Sequence, residues 1–168
     1  SPRTPDAPEI DAWARGILSG ERNIVAAALE LAQTIRRDFT YDPNATESDT
    51  PAIDAFRKRH GVCQDFAHIM IIALHSQGLA AAYVSGYLRT LPPPGKPRLV
   101  GADATHAWVN LWCGDDLGWV GFDPTNGCIA SENHIFTAMG RDYGDVAPID
   151  GVLVGGAGQT MTVSVDVN

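Results

Sequence analysis

Residues 62–77 are apolar on every side of a helical projection, through Phe66, Ala67, Ile69, Met70, Ile71, Ile72, Ala73 and Leu74. A helix with no polar face has no place at a surface, so this segment predicts the buried central helix of the fold. Gly78 stands where a helix C-terminus favours a left-handed residue. The rest of the chain must cover this helix. Two helical segments precede it, residues 9–18, ended by Gly20, and residues 21–38, with Ile24, Ala27, Ala28, Leu31 and Ile35 on one stripe. Residues 41–49 read as a polar turn. Thr50 as N-cap and Pro51 at the first helical position then open a short helix through Ala52, Ala55 and Phe56 toward Gly61.

After Gly78 the period becomes that of strands. Residues 82–91 form one, and 92–97, Pro-Pro-Pro-Gly-Lys-Pro, read as a rigid surface loop. Residues 105–113 and 119–123 form two more, joined by a turn over 114–118. A looser stretch runs to Gly158, with a helical turn expected near Ile135. Residues 160–167 alternate Met161, Val163, Val165 and Val167, a strand with one buried face. Helices first and strands afterwards predict an α+β domain with an antiparallel sheet.

The chain has 168 residues, enough for one domain with a single core. With 12 Lys and Arg against 20 Asp and Glu, the net charge of -8 argues against nucleic acid or an anionic membrane as partner. No apolar run is long enough to span a bilayer. Residues 1–8 lack a signal pattern and an initiator Met, and read as a Pro-rich linker into a domain over 9–168, with something preceding it in a longer protein. Cys63, Cys113 and Cys128 are an odd, widely spaced set, which reads as reduced thiols in a cytoplasmic protein rather than a disulfide framework.

Of the three thiols, Cys63 lies in the first turn of the central helix. Thiol pKa values fall at helix N-termini and beside a histidine cation, and the unpaired N–H groups there offer a site for an oxyanion. Gly61, two residues earlier, lets the backbone approach a substrate closely. In the strand over 105–113, His106, Trp108, Asn110 and Trp112 share a face, as do Trp119, Gly121 and Asp123 in the next. A hairpin turning near 114–115 sets His106 almost opposite Asp123, where a carboxylate can orient an imidazole.

Residues 61–67 (Gly-Val-Cys-Gln-Asp-Phe-Ala), 105–109 (Thr-His-Ala-Trp-Val) and 121–126 (Gly-Phe-Asp-Pro-Thr-Asn) resemble the three motifs of the bacterial transglutaminase-like family. Residues 84–88, the Pro-rich loop, 101–103 and 140–143 are also similar, so the likeness runs in order over about 36–167. It implies a papain-like core with the cysteine-bearing helix packed on the sheet that carries the histidine and aspartate. By this resemblance Cys63 matches the nucleophile, His106 the general base and acid, and Asp123 the orienting carboxylate. It further implies cysteine-dependent acyl transfer on a peptide or protein substrate through a thioester, by hydrolysis as a peptidase or amidase. Protein crosslinking, or a binding module that keeps the fold, are the alternatives. It also implies a preceding β-rich domain in the full-length chain.

There are departures. No Trp lies between Trp13 and Trp108, and Arg57 stands where papain-like proteases carry a glutamine, so the second oxyanion donor is left unassigned, with Gln64 and Tyr41 as candidates. No cofactor is expected, calcium included, since there is no EF-hand loop. No metal is expected either, because His60, His68, His106 and Asp123 lack the tight paired spacing of zinc ligands. His60 reads as a helix C-terminal residue facing backbone carbonyls, and His68 and His75 as hydrogen-bonded core or boundary groups. Asp65 is expected to bind helix N-terminal N–H groups or Arg57. Trp108 is the best candidate among the tryptophans to line a substrate groove, the other reading being core.

Overall fold

The computed structural model describes residues 1–19, 22–47, 49–89, 104–147 and 164–167. Its elements run α1 (Pro8–Leu18), α2 (Ile24–Asp38), β1 (Thr40–Tyr41), α3 (Ala52–Lys58), β2 (His60–Gly61), α4 (Cys63–Ser76), β3 (Ala81–Leu88), β4 (Ala104–Trp112), β5 (Trp119–Asp123), β6 (Cys128–Ile129) and β7 (His134–Gly140), followed by a 3₁₀ turn over Tyr143–Asp145. Apart from the two-residue strands β1 and β2, helices come first and strands afterwards, the α+β order expected from the pattern. None of the described helices is long and apolar enough to cross a membrane.

The apolar segment is α4, buried continuously from Asp65 to Leu74. Around it pack Ile10 and Ala14 of α1, Leu31 and Ile35 of α2, Ala55 and Phe56 of α3, and one face of the sheet: Tyr83, Ala107, Val109, Leu111 and Phe122. Arg59, whose left-handed backbone (φ 57°) ends α3, lays its guanidinium over Phe56 and Phe39 at 4.3 and 4.6 Å. That stacking seals the end of the core with a charge whose planar group tolerates an aromatic surround.

The main sheet has the order β6-β5-β4-β3-β7, every pair antiparallel. In the β4–β5 hairpin Val109 faces Phe122, Asn110 faces Gly121 and Trp112 faces Trp119. Continuing that register sets Asp123 level with Trp108, so the expected pairing with His106 is displaced by two residues. Because side chains alternate with period two, an even displacement keeps His106 and Asp123 on one face as diagonal neighbours.

Several boundaries differ from expectation for local reasons. The α2 helix starts at Ile24, because the Asn23 side chain accepts from the N–H groups of Val25 and Ala26 at 3.0 and 3.1 Å and so takes the N-cap. Pro51, rather than Thr50, is the N-cap of α3; the Thr50 hydroxyl instead accepts from the Glu47 N–H at 2.9 Å. No helical turn forms near Ile135, which lies in strand β7. Residues 134–140 are satisfied by hydrogen bonds to β3, which outweigh a weak local preference. Of the strand expected over 160–167, residues 164–167 have no regular structure and 160–163 lie outside the described residues, as do the Pro-rich loop and residues 101–103. The start of the chain, read as a linker, lies against the domain: Arg3 donates its backbone N–H to Asp142 at 3.2 Å and places its guanidinium over Tyr143.

His68, on α4, is 2% exposed and accepts from the Tyr143 N–H at 3.2 Å through Nε2. Burial, with Arg3 nearby, pushes its pKa down to about 4 against the pull of Asp142. Below about pH 6.5 the unfolded chain takes up a proton that the folded ring refuses until about pH 4. Stability is therefore expected to fall across that window by up to about 1.4 kcal/mol per pH unit. Urea unfolding of the wild type and His68→Gln between pH 4 and 7 checks this. The glutamine carbonyl keeps the acceptor without the titration, so equal pH slopes would refute it.

Candidate active site

Cys63 is the first residue of α4. Its position depends on a local device around Asp65, two residues on. The Asp65 carboxylate, 1% exposed, accepts from the Val62 N–H at 2.8 Å and from the Thr46 hydroxyl at 2.6 Å. The helix start is thereby pinned to the loop before α3. Burial raises the Asp65 pKa against these two hydrogen bonds. Of the two roles expected for Asp65, it takes the first; Arg57 pairs with Glu9 on the surface. Gly61 serves the same device, since a Cβ there would lie 2.8 Å from the Asp65 carboxylate. Its bare backbone makes room for that side chain rather than for a substrate. His60, as expected, meets a helix C-terminal carbonyl, Nδ1 lying 2.7 Å from the Lys58 oxygen.

Asp123 ends β5 and is fully buried. Its Oδ1 accepts the Thr125 and Asn126 N–H groups at 2.9 and 3.1 Å, closing the turn that follows. Its Oδ2 is approached by three nitrogens: His106 Nε2 at 2.8 Å, Asn126 Nδ2 at 2.6 Å and His134 Nε2 at 3.0 Å. Burial works to raise its pKa, but the hydrogen bonds from His106 and His134 and the His106 charge hold it well below the usual carboxylate range. Asp123 is an anion at any ordinary pH.

His106, at the start of β4, is 9% exposed. Burial alone would lower its pKa; the hydrogen bonds to Asp123 and to Cys63, reinforced by both charges, push it up to about 9. The thiol and the carboxylate are thus both partners of one ring. The α4 flank packs on the opposite face of the sheet, and Cys63 stands at the start of that helix. Burial pushes up the thiols of both other cysteines, with the Asp123 charge adding to the effect at Cys128.

Trp108 shares the face of His106 as expected but is 2% exposed, which leaves almost none of its ring for a substrate. It lies 6.3 Å from the His106 ring, centroid to centroid, and 5.3 Å from that of His134, forming a wall behind both. Tyr41 is half-exposed on β1, and burial and the Cys63 charge raise its pKa; Gln64 follows Cys63 directly in α4. A cavity of about 500 Å³ lined by residues of 2–9 and 49–57 and by Ile72 contains neither Cys63, His106 nor Asp123.

His134 was not legible in the sequence as part of this cluster. It falls in a stretch without clear period, and no motif marks it. Together with His106 and Asp123 it has the composition of a divalent-metal site, with one ligand atom from each residue within 4.8 Å of the others. Both Nε2 atoms, however, are aimed at the Asp123 carboxylate, so a cation there would have to displace the protons that make those hydrogen bonds.

A family model described as the transglutaminase-like superfamily matches residues 11–124. The uncharacterized protein Rv2569c of Mycobacterium tuberculosis is 44% identical over 151 residues, which cover 88% of this chain and 48% of that protein. The chain thus spans about half the length of the curated relatives it matches. Among solved structures, a "putative cysteine protease" from Cytophaga hutchinsonii superposes with a TM-score of 0.69 at 26% identity, covering 87% of this chain and 48% of that one. The periplasmic domain of TgpA from Pseudomonas aeruginosa does so with a TM-score of 0.54 at 27% identity, over 76% of this chain and 48% of that one.

Proposed function

Since this chain belongs to the transglutaminase-like superfamily, we propose that it is a cysteine-dependent acyl-transfer enzyme with Cys63 as nucleophile, His106 as general base and acid, and Asp123 as the carboxylate that orients His106. The observation that carries this reading is the His106 ring, bound at Nε2 by a fully buried carboxylate, with Cys63 near enough to act on the same ring. In the first step His106 holds the Cys63 proton and the thiolate attacks an amide carbonyl. The oxyanion rests on first-turn N–H groups of α4, beginning with that of Cys63, with Gln64 or Tyr41 as the second donor. The C–N bond then breaks as His106 passes its proton to the leaving amine. Water resolves the thioester: His106 takes its proton, the C–S bond breaks and the proton returns to the thiolate–imidazole pair.

Hydrolysis of a peptide or related amide bond is the proposed outcome, supported by the description of the Cytophaga hutchinsonii neighbour as a cysteine protease. A reducing, cytoplasmic setting is proposed with it, since a reactive thiol must stay reduced to act.

The test is alkylation of Cys63, Cys113 and Cys128, resolved by site, from pH 5 to 9, in the wild type and in His106→Ala. Cys63 is expected to react fastest at and below pH 7, through a thiolate that an imidazolium stabilises. In His106→Ala its advantage at pH 6 is expected to fall by roughly 10-fold or more, as the imidazolium partner of the thiolate is lost. The imidazolium should persist until about pH 9. Turnover that needs His106 as an acid should decline above that pH and be intact below it. A Cys63 no more reactive than the other two would point to a binding module. Product formation only with an added amine would replace hydrolysis by crosslinking.

A further inference from the structure

The buried carboxylate of Asp123 serves two histidines, and the mechanism above uses only one. His134 opens β7, at the far edge of the sheet from β5. How it comes to face Asp123 is a matter of register. From Gly140 to Ala138, β7 pairs with Tyr83 to Ser85; from Phe136 to His134 it pairs with Gly86 to Leu88. Thr137 is the extra residue between the two runs, a β-bulge fastened by its hydroxyl, which donates to the Ser85 carbonyl at 2.6 Å. One extra residue reverses the face that the following residues present. Without it His134 would stand opposite Arg89 and point away. With it His134 stands opposite Leu88, on the face of Gly86, His106 and Trp108.

The ring is then fixed at both nitrogens. Nδ1 accepts from the Ser131 N–H at 3.1 Å and so carries no proton. The proton is therefore on Nε2, and it is donated to Asp123 Oδ2 at 3.0 Å. The His134 side chain is 5% exposed, edge-on to Trp108. A bulge that re-aims one side chain, a backbone donor that sets its tautomer and a buried oxygen shared with His106 form one arrangement.

We propose that His134 is a positioning residue of the site: its neutral ring, donating from Nε2, holds the Asp123 oxygen in place for His106. It acts through Asp123 and touches no reacting atom, and the proposal rests on the reading of Cys63, His106 and Asp123 given above. The titratable groups around the shared oxygen are His106 from β4, Cys128 from β6, which pairs with Asp123, and Cys63 through His106. Glu132, in the loop before β7, is exposed. Losing the His134 donor loosens the carboxylate, so the anion supports the His106 imidazolium less well. Misplacement of a catalytic group by about 1 Å costs on the order of 100-fold.

The experiment combines histidine-ring NMR with alkylation of Cys63 by iodoacetamide, in the wild type, His134→Phe and His134→Gln. In the wild type at pH 7, ring ¹⁵N shifts should report His134 protonated at Nε2 alone; protonation at Nδ1, or at both nitrogens, overturns the proposal without any variant. In His134→Phe, which fills the space against Trp108 but donates nothing, alkylation at pH 6 should fall roughly 10-fold, inside the 100-fold bound. The His106 titration should move to lower pH. His134→Gln, whose amide reaches the same oxygen, should restore most of both. A role in packing alone would lower the melting temperature of the variants and leave the His106 titration where it was, which overturns the proposal. If the wild-type Cys63 shows no dependence on His106, the underlying triad fails, and the positioning role falls with it. A His106-dependent Cys63 that is indifferent to His134 sinks the positioning role alone.

Discussion

In Asp123→Asn, turnover of an acyl substrate is expected to fall roughly 10³- to 10⁴-fold while the chain stays folded. The two carboxylate oxygens have separate duties. The Oδ1 atom accepts the two N–H groups of the turn at Thr125 and Asn126, and the asparagine carbonyl can keep both. Oδ2 faces donors from His106, His134 and Asn126, and there the amide would present N–H against N–H. His106 must then turn or lose its partner. Without the anion the largest influence that offsets its burial is gone, so its pKa drops from about 9 and the thiolate–imidazolium pair is weakened. Before a substrate is in hand, the pH dependence of Cys63 alkylation reports the same change. Activity within 10-fold of the wild type would remove Asp123 from the mechanism. The alanine variant is a poorer probe. Reading the residues alone, Asp123→Ala should leave the fold intact. Against that, truncation at a fully buried site orphans five donors on four residues and is expected to cost about 2–4 kcal/mol. Thermal unfolding of both variants separates the two effects.

Gly86→Ala is expected to damage stability and reactivity together. A Cβ at position 86 would lie 2.2 Å from the Ile135 carbonyl oxygen and 2.5 Å from the Trp108 ring. The first obstacle is backbone, held in the β3–β7 ladder, and cannot swing aside; the second is the wall behind His106 and His134. Either β7 parts from β3 or Trp108 leaves its place. Overpacking of this kind costs about 1–3 kcal/mol. The accompanying shift of Trp108 should disturb the two imidazoles and lower His106-dependent alkylation of Cys63 by roughly 10-fold or more. Both are read by denaturant unfolding and by the Cys63 rate at pH 6. A variant with wild-type stability and rate would show that the strands separate there at no cost.

The architecture was legible wherever a side chain's nature alone restricts it. An all-apolar segment could only be the buried helix, and the residue at its start could only be at a helix N-terminus, so α4 and Cys63 followed from local chemistry. The alternation in β4 and β5 put His106, Trp108 and Asp123 on one face. The absolute register did not follow, and the expectation was two residues out. The contact formed all the same, since a period of two forgives an even slip, and Asp123 reaches His106 diagonally.

What no local pattern carried is the pairing of β7. Residues 134–140 carry neither helical nor clean strand periodicity, because the bulge at Thr137 breaks the alternation midway. A bulge belongs to two strands at once, and its partner Ser85 lies 52 residues earlier. The likeness of the three motifs specified the family and the order of Cys63, His106 and Asp123. The arrival of His134 at the shared oxygen, the burial of Trp108 and the use of Gly61 to seat Asp65 were decided by which backbone lies against which. Those are distances between parts of the chain far apart in sequence. Residue type and spacing govern short-range geometry, whereas the close approach of remote segments is set only when the whole sheet and helix pack.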